Sequence, residues 1–162
     1  MTVHLVNPSN ESFGIGVITP RWLYVLAAAT PRDYGDPRLT DEILEPLDPA
    51  IIQPGDVVGI GIHTGNAFRG YQIGRMARER GAQVIFGGIH AGLYPEEAHE
   101  QGGAHGVVRG DADVVWSKVL SDCAREGVAR IYDAGQVGAQ DFLRGRWDLL
   151  PKNRYMWASV QT

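Results

Sequence analysis

Four glycine-containing loops carry the residues of this sequence that are best suited to chemistry. They begin at Asn7, His63, Gly87 and Arg109 and read NPSNESFGIG, HTGN, GGIHAG and RGDAD, and each follows a short β-favouring run. Taken singly, each glycine is equally well explained by a tight turn. Glycine also lets another backbone or a flat ligand approach closely, so four such loops on one edge predict a wide, shallow binding surface.

Two histidines follow strands on this predicted edge, whereas a third lies inside the first strand. His63 and His90 are the edge histidines, and His4 is the strand histidine. A neutral imidazole is a common metal ligand, but it more often acts as a hydrogen-bonding group. No HExxH or Cys/His spacing favours zinc. The pattern therefore makes His63 and His90 candidate contacts for a ligand first and for a metal second.

Two familiar nucleotide and phosphate chemistries fit the loops poorly. Gly14 and Gly16 are the first two glycines of a dinucleotide fingerprint, but Thr19 occupies the place of the third, and no Walker sequence occurs. A receiver domain needs acidic residues at strand ends to hold a hard cation. Asn7 and His63 stand at those positions instead.

The composition is that of one soluble globular domain. The chain has 162 residues, of which 44% are hydrophobic and 21% charged, and its net charge is -4. A clustered basic face for nucleic acid is therefore not expected. The single cysteine, Cys123, excludes an internal disulfide and is expected in the core. The sequence predicts a cytoplasmic protein, because neither a secretory signal nor a membrane-spanning run is evident.

Short strands alternate with helices, a pattern typical of a parallel sheet covered on both faces. We therefore expect a flavodoxin-like α/β fold with five parallel strands. Phe68 is expected to face the sheet from the helix predicted at 67–80, and Asp111 to cap the last helix. The predicted strands are 3–7, 38–41, 57–62, 82–88 and 106–110, with 129–134 as an optional edge strand, and the main helices begin near 21, 67, 95 and 112. No element is assigned to the tail after residue 135.

An ordered series of motifs gives a more specific indication. HLVNP, LTDE, DVVGIGIHTG, GAQVIFGG, IHAGLYPEEA and VVRGDAD resemble the cobalamin-binding domain that precedes the catalytic barrel in many radical S-adenosylmethionine enzymes, over about residues 3 to 133. RYMWASVQT resembles the segment leading into that barrel. The resemblance implies a cobalamin-binding domain at 1–133 and a linker at 134–162. The barrel would be the domain's partner, with its [4Fe-4S] cluster and S-adenosylmethionine, and its three-cysteine loop is absent here.

The resemblance also implies where cobalamin lies. The lower face of the corrin ring would rest on the loops after the first, third and fourth strands, and the nucleotide tail would pass Gly87 and Gly88. The usual Asp-x-His-x-x-Gly loop is replaced by NPSNESFG, so cobalt would have an open or water-filled lower position, or one approached by His63 or Asn7. The implied cofactor-binding residues are Asn7, Ser9, Phe13, Gly14, Gly61, His63, Thr64, Gly65, Gly87, Gly88, His90 and Gly110.

As a function, the resemblance implies cobalamin binding for a radical S-adenosylmethionine methyltransferase, with this part of the chain alone not catalytic. Two alternatives remain open from the residues. One is an interaction module that binds no corrin, and the other is a small flavin- or nucleotide-binding protein of the same topology.

Overall fold

The computed structural model describes residues 1–125 and 127–158, and its centre is a parallel sheet of six strands. The strands alternate with helices, and every neighbouring pair runs in the same direction. Their order across the sheet is β3-β1-β4-β5-β6-β7. The strands are β1 (Val3–Asn7), β3 (Arg38–Asp41), β4 (Val57–Gly61), β5 (Gln83–Gly87), β6 (Gly106–Gly110) and β7 (Ile131–Gly135).

The strand order confirms the flavodoxin-like α/β fold. The first five strands of the sheet follow the 2-1-3-4-5 order of that class, and the chain reverses direction across the sheet between β1 and β4. The expected count of five was one too low, because the optional edge segment forms β7 and pairs with β6. The loops that follow β1 and β4 diverge at this reversal, which is where ligands bind in open α/β sheets.

Helices cover both faces of the sheet, as predicted. On one face, α1 and α5 pack through Leu23 and Trp116, while on the other face α2, α3 and α4 pack through Tyr71, Ala91 and Ala98. No helix within residues 1–125 and 127–158 has the length and apolar character needed to cross a membrane. The helices are α1 (Arg21–Ala29), α2 (Ala67–Glu79), α3 (Ile89–Leu93), α4 (Pro95–Glu100) and α5 (Trp116–Ala124).

Two details of the helix prediction are wrong. Phe68 is 77% exposed, because it lies in the first turn of α2, beyond the end of β4, and so points past the sheet. The Asp111 side chain caps no helix. Its carboxylate accepts a hydrogen bond from the Val137 N–H at 2.7 Å and fixes the segment that follows β7.

The tail contains a strand that the sequence pattern did not indicate. β8 (Tyr155–Trp157) pairs in parallel with β2 (Gly16–Ile18) and forms a separate two-stranded sheet. Strands of three residues are too short to show a recognisable alternation of apolar and polar residues in the sequence. The Arg154 guanidinium donates to the carbonyls of Gly14 and Leu44, which holds this ribbon beside the first loop.

Gly74 of α2 gives a stability prediction with an unusual sign. Alanine normally stabilises a helix relative to glycine by about 1 kcal/mol. A Cβ at Gly74, however, would overlap the Gly102 carbonyl oxygen and lie 2.8 Å from the Phe86 ring. We therefore expect Gly74→Ala to lower the free energy of unfolding in urea by about 2 kcal/mol. Ser117→Ala, at an exposed position of α5, is the control and should be neutral or stabilising. An unchanged Gly74→Ala midpoint would contradict this packing.

Candidate functional site

Large apolar side chains are exposed on the loops and helix starts at the carboxyl edge of the sheet. We call this edge the rim and define it as residues 8–15, 61–68, 87–94 and 109–115. Exposed apolar residues gathered at one edge are typical of binding sites, which makes this edge the candidate site. At least half of the accessible surface is exposed for Phe13, Ile15, Phe68, Ile89, Leu93, Tyr94 and Val114.

The rim glycines divide into those that the fold itself requires and those that leave free space. A Cβ at Gly61 would lie 2.6 Å from the Trp22 ring, and one at Gly110 would overlap the Gly135 carbonyl oxygen. Those two glycines are explained by packing. At Gly87, by contrast, the nearest atom to an added Cβ is the Val108 carbonyl oxygen at 4.0 Å. No packing contact within the chain therefore explains Gly87, at the end of β5.

Gly88 joins the loop after β5 to the loop after β4 by direct backbone contact. Its φ of 89° lies in the left-handed region, and a Cβ there would lie 2.5 Å from the Ile62 carbonyl oxygen. Around it, the Ile62 N–H donates to Gly87 at 2.9 Å and the His90 N–H donates to Ile62 at 3.2 Å. Another backbone therefore explains Gly88, so its substitution would disturb the fold before it reported on a ligand.

His63 caps the turn that leads into α2. Its Nδ1 accepts a hydrogen bond from the Gly65 N–H at 3.1 Å. The backbone N–H of His63 donates to the side-chain oxygen of Asn66 at 2.8 Å. Because Nδ1 must be unprotonated to accept, the neutral ring carries its proton on Nε2. The exposed edge of His63 is therefore an N–H donor, and cobalt ligation through Nε2 stays a prediction that requires the Gly65 bond to break.

His90 is buried beneath Thr64, in a polar cluster on the α2–α4 face. Its Nδ1 lies 3.2 Å from the Thr64 hydroxyl, and its Nε2 lies 3.4 Å from a Glu97 carboxylate oxygen without hydrogen-bond alignment. Tyr71 donates to the same carboxylate oxygen at 3.3 Å. Burial, reinforced by Glu97, raises the pKa of Tyr71 to about 12, so its hydroxyl remains a donor. The cluster fixes the Thr64 side chain from below.

The loop after β1 is held by acidic residues that the sequence did not single out. The Asn7 amide donates to Asp41 at 2.9 Å, and the Ser9 N–H donates to Glu42 at 3.1 Å. Arg69 of α2 forms a bidentate pair with Glu42 at 2.7 and 2.8 Å. Since Glu42 and Arg69 are 27 positions apart, local spacing could not reveal the pair.

The structure brings the remaining candidates to the same edge through their backbones. The N–H groups of Phe13 and Gly14 both donate to the Ile43 carbonyl, so the Phe13 ring is free to project into solvent and is 70% exposed. Gly65 contributes its N–H to His63. His4 lies apart from the rim, buried beside Asp56, with 3.1 Å between Nε2 and the carboxylate.

The described ranges hold no group of three or more His, Cys, Asp or Glu side chains arranged to bind a metal ion. Cys123 is buried in the core, as predicted, and burial with the nearby Asp122 charge raises its thiol pKa to about 12. Reactive thiol chemistry is therefore not a property of this site.

Comparisons with known proteins give two partial similarities. The chain is 40% identical over 79 residues to bacteriochlorophyllide d C-8(2)-methyltransferase of Chlorobaculum tepidum, covering 49% of this chain and 17% of that protein. It is 26% identical over 136 residues to bacteriochlorophyllide d C-12(1)-methyltransferase of the same organism, covering 82% and 29%. The chain thus spans less than a third of the length of these relatives. No protein-family model and no solved structure matches it.

Glu42 gives a prediction for the loop after β1. Burial acts to raise its pKa, but hydrogen bonds from Arg69, Ser9 and Leu47 outweigh burial, so its pKa lies below the ordinary value of 4.5. We expect Glu42→Gln to lower the free energy of unfolding by about 2 kcal/mol at pH 7, because charge-assisted bonds are lost. Glu45→Gln, at an exposed neighbouring position, is the control.

The contribution of Glu42 to the free energy of unfolding should depend on pH in a defined direction. A carboxylate whose pKa is depressed in the folded state contributes its full stability above the unfolded pKa, and the contribution is lost as pH falls through the folded pKa. The difference between wild type and Glu42→Gln in urea unfolding should therefore shrink below about pH 4.5. A difference that is constant from pH 7 to pH 3 would contradict the Glu42 assignment.

The tautomer of His63 is directly measurable. Nitrogen-15 NMR of the imidazole should report the proton on Nε2 at pH 8, because Nδ1 accepts the Gly65 N–H. Gly65→Pro, which removes that donor, should shift the ring toward the tautomer mixture of an exposed histidine. A proton on Nδ1 in the wild-type protein would contradict the described turn.

Proposed function

We propose that this chain binds cobalamin on its rim and acts as the cobalamin-binding part of a longer radical S-adenosylmethionine methyltransferase. The observation that carries the proposal is the absence of a packing neighbour at Gly87, at the end of a central strand, on the same edge of the sheet as the exposed apolar residues. A corrin ring is a broad disc with largely apolar faces, and a side-chain-poor, apolar edge is complementary to it.

The residues on the rim fit the cofactor in three respects. Exposed Phe13 and Ile89 provide apolar area on the loops after β1 and β5. A Cβ at Gly87 would have the Val108 carbonyl oxygen as its nearest neighbour, at 4.0 Å, so the nucleotide tail could pass this position without meeting a side chain. His90 retains a buried Nε2 without an aligned partner, so the cluster below the rim holds unused polar capacity.

Cobalamin supplies a cobalt centre that accepts and donates a methyl group, while the chain's own residues would position the ring. The loop after β1 would hold one side of the corrin, since Ser9 and Asn7 anchor it to Glu42 and Asp41. The turn at His63 and Thr64 would support the other side. Because His63 uses Nδ1 for the turn, its Nε2–H would be available to the corrin ring as a hydrogen-bond donor.

The similarity to methyltransferases supports methyl transfer as the reaction of the longer enzyme. Both relatives are named for methylation of a bacteriochlorophyllide, and the longer alignment covers 82% of this chain. The chain described here contributes cofactor binding in this proposal. Catalysis, S-adenosylmethionine, the [4Fe-4S] cluster and the methyl acceptor would belong to the barrel.

The first test is retention of cobalamin by the purified protein. The protein is mixed with hydroxocobalamin, desalted, and measured by absorbance between 350 and 550 nm, with flavin mononucleotide as a parallel ligand. We expect retained corrin absorbance near one equivalent and no retained flavin. Retained flavin, or retention of neither ligand, would overturn the proposal in favour of the nucleotide-binding or interaction-module alternatives.

Gly87 supplies the sharper variant. The Cβ of Gly87→Leu meets no close backbone contact, since its nearest neighbour lies at 4.0 Å, and the rest of the side chain would occupy the position proposed for the nucleotide tail. We expect at least a tenfold weaker affinity for hydroxocobalamin, about 1.4 kcal/mol, with an unchanged circular dichroism spectrum. Gln83→Leu places the same side chain on the same face at the opposite end of β5 and should bind normally. Equal affinity of both folded variants would argue against the site.

A further inference from the structure

We propose that His63 and Thr64 form a subsite that selects a primary carboxamide of the ligand over a carboxylate. The inference rests on the proposed binding of cobalamin and assigns a specificity to two rim residues. It rests on two contacts within the chain, one from the Gly65 N–H to the His63 ring and one between the Thr64 hydroxyl and the His90 ring.

The donor of the subsite is His63. Its Nδ1 accepts from the Gly65 N–H, so the proton of the neutral ring lies on Nε2. The exposed edge of the neutral ring is therefore a donor and not an acceptor. The backbone of the turn adds no competing donor at Gly65 or Asn66. The Gly65 N–H is used by the His63 ring, and the Asn66 N–H is used by the His63 carbonyl.

The acceptor of the subsite is the Thr64 hydroxyl. The Glu97 carboxylate lies 3.4 Å from His90 Nε2, and a negative charge at that distance favours a proton on Nε2 over a lone pair. His90 Nδ1 is then an acceptor, and the Thr64 hydroxyl 3.2 Å away donates to it. With its proton directed to the buried ring, the exposed Thr64 oxygen presents lone pairs to the rim.

A primary carboxamide complements this pair of groups. Its carbonyl oxygen can accept from His63 Nε2–H, and its NH2 can donate to the Thr64 oxygen. A carboxylate also accepts from His63, but it has no hydrogen for Thr64 and places negative charge against that oxygen's lone pairs. The side chains on the lower face of cobalamin are propionamides, so a corrin lying on the rim carries the matching group.

The test uses hydroxocobalamin and its monocarboxylic acids, in each of which one lower-face propionamide is hydrolysed. Affinities are measured by quenching of tryptophan fluorescence at pH 7.5. We expect the wild-type protein to bind the parent amide and to bind one of the acids about tenfold more weakly, since one hydrogen bond is lost and a repulsion is gained. The other acids, whose altered group lies elsewhere, should bind within about twofold of the parent.

Variants at Thr64 assign the effect to the subsite. Thr64→Val keeps the shape of this exposed residue but removes the hydroxyl, so it should bind the parent about tenfold more weakly and bind the parent and the discriminated acid alike. Thr64→Ser keeps the hydroxyl and should preserve both the affinity and the discrimination. Unfolding midpoints in urea establish that both variants are folded.

The outcomes separate this inference from the proposed function. If hydroxocobalamin binds and all of the acids bind equally well, the carboxamide subsite is wrong and cobalamin binding stands. The same conclusion follows if Thr64→Val retains the wild-type affinity and discrimination. If the wild-type protein fails to bind hydroxocobalamin at all, cobalamin binding itself is wrong, and the subsite falls with it.

Discussion

The arrangement of the rim depends on one close backbone contact, that between Gly88 and Ile62. A Cβ at Gly88 would lie 2.5 Å from the Ile62 carbonyl oxygen, and hydrogen bonds to Gly87 and His90 close the contact on either side. Neither loop can shift alone without breaking these bonds. The contact therefore brings the turn that begins at His63 over the buried ring of His90, although these two residues are 27 positions apart in the chain.

Because of that contact, polar side chains on the two loops have defined roles as hydrogen-bond donors or acceptors. The Gly65 N–H fixes the proton of His63 on Nε2. The charge of Glu97 favours a proton on His90 Nε2, which leaves His90 Nδ1 to accept from the Thr64 hydroxyl. Water would average the orientation of an exposed hydroxyl such as that of Thr64, whereas the buried ring of His90 holds it. In the proposed complex, the apolar area of the rim would contribute affinity and its few directed polar groups would contribute specificity.

Much of the fold was readable from the sequence, because buried parallel strands such as Val57–Gly61 are nearly continuous apolar runs. The edge strand β7 was recognised as optional, while β2 and β8 are too short for a periodic signal. The sequence identified the glycines at this edge of the sheet, but it did not show which of them are required by packing within the chain. Gly61, Gly88 and Gly110 are required by close contacts with neighbouring atoms of the chain, whereas Gly87 is not. Only the tertiary structure reveals this difference. The Glu42–Arg69 pair was missed because long-range pairing leaves no local pattern.

The most direct measurement of the central claim is amide NMR mapping of the protein as hydroxocobalamin is added. Nitrogen-15 and proton shifts report which part of the surface the ligand covers, without any substitution. We predict that the amides whose chemical shifts change cluster on the rim, at residues 8–15, 62–65, 87–93 and 109–112. Shift changes confined to the amino edge of the sheet, around Asp56 and Gln83, or no saturable shift changes anywhere, would contradict it.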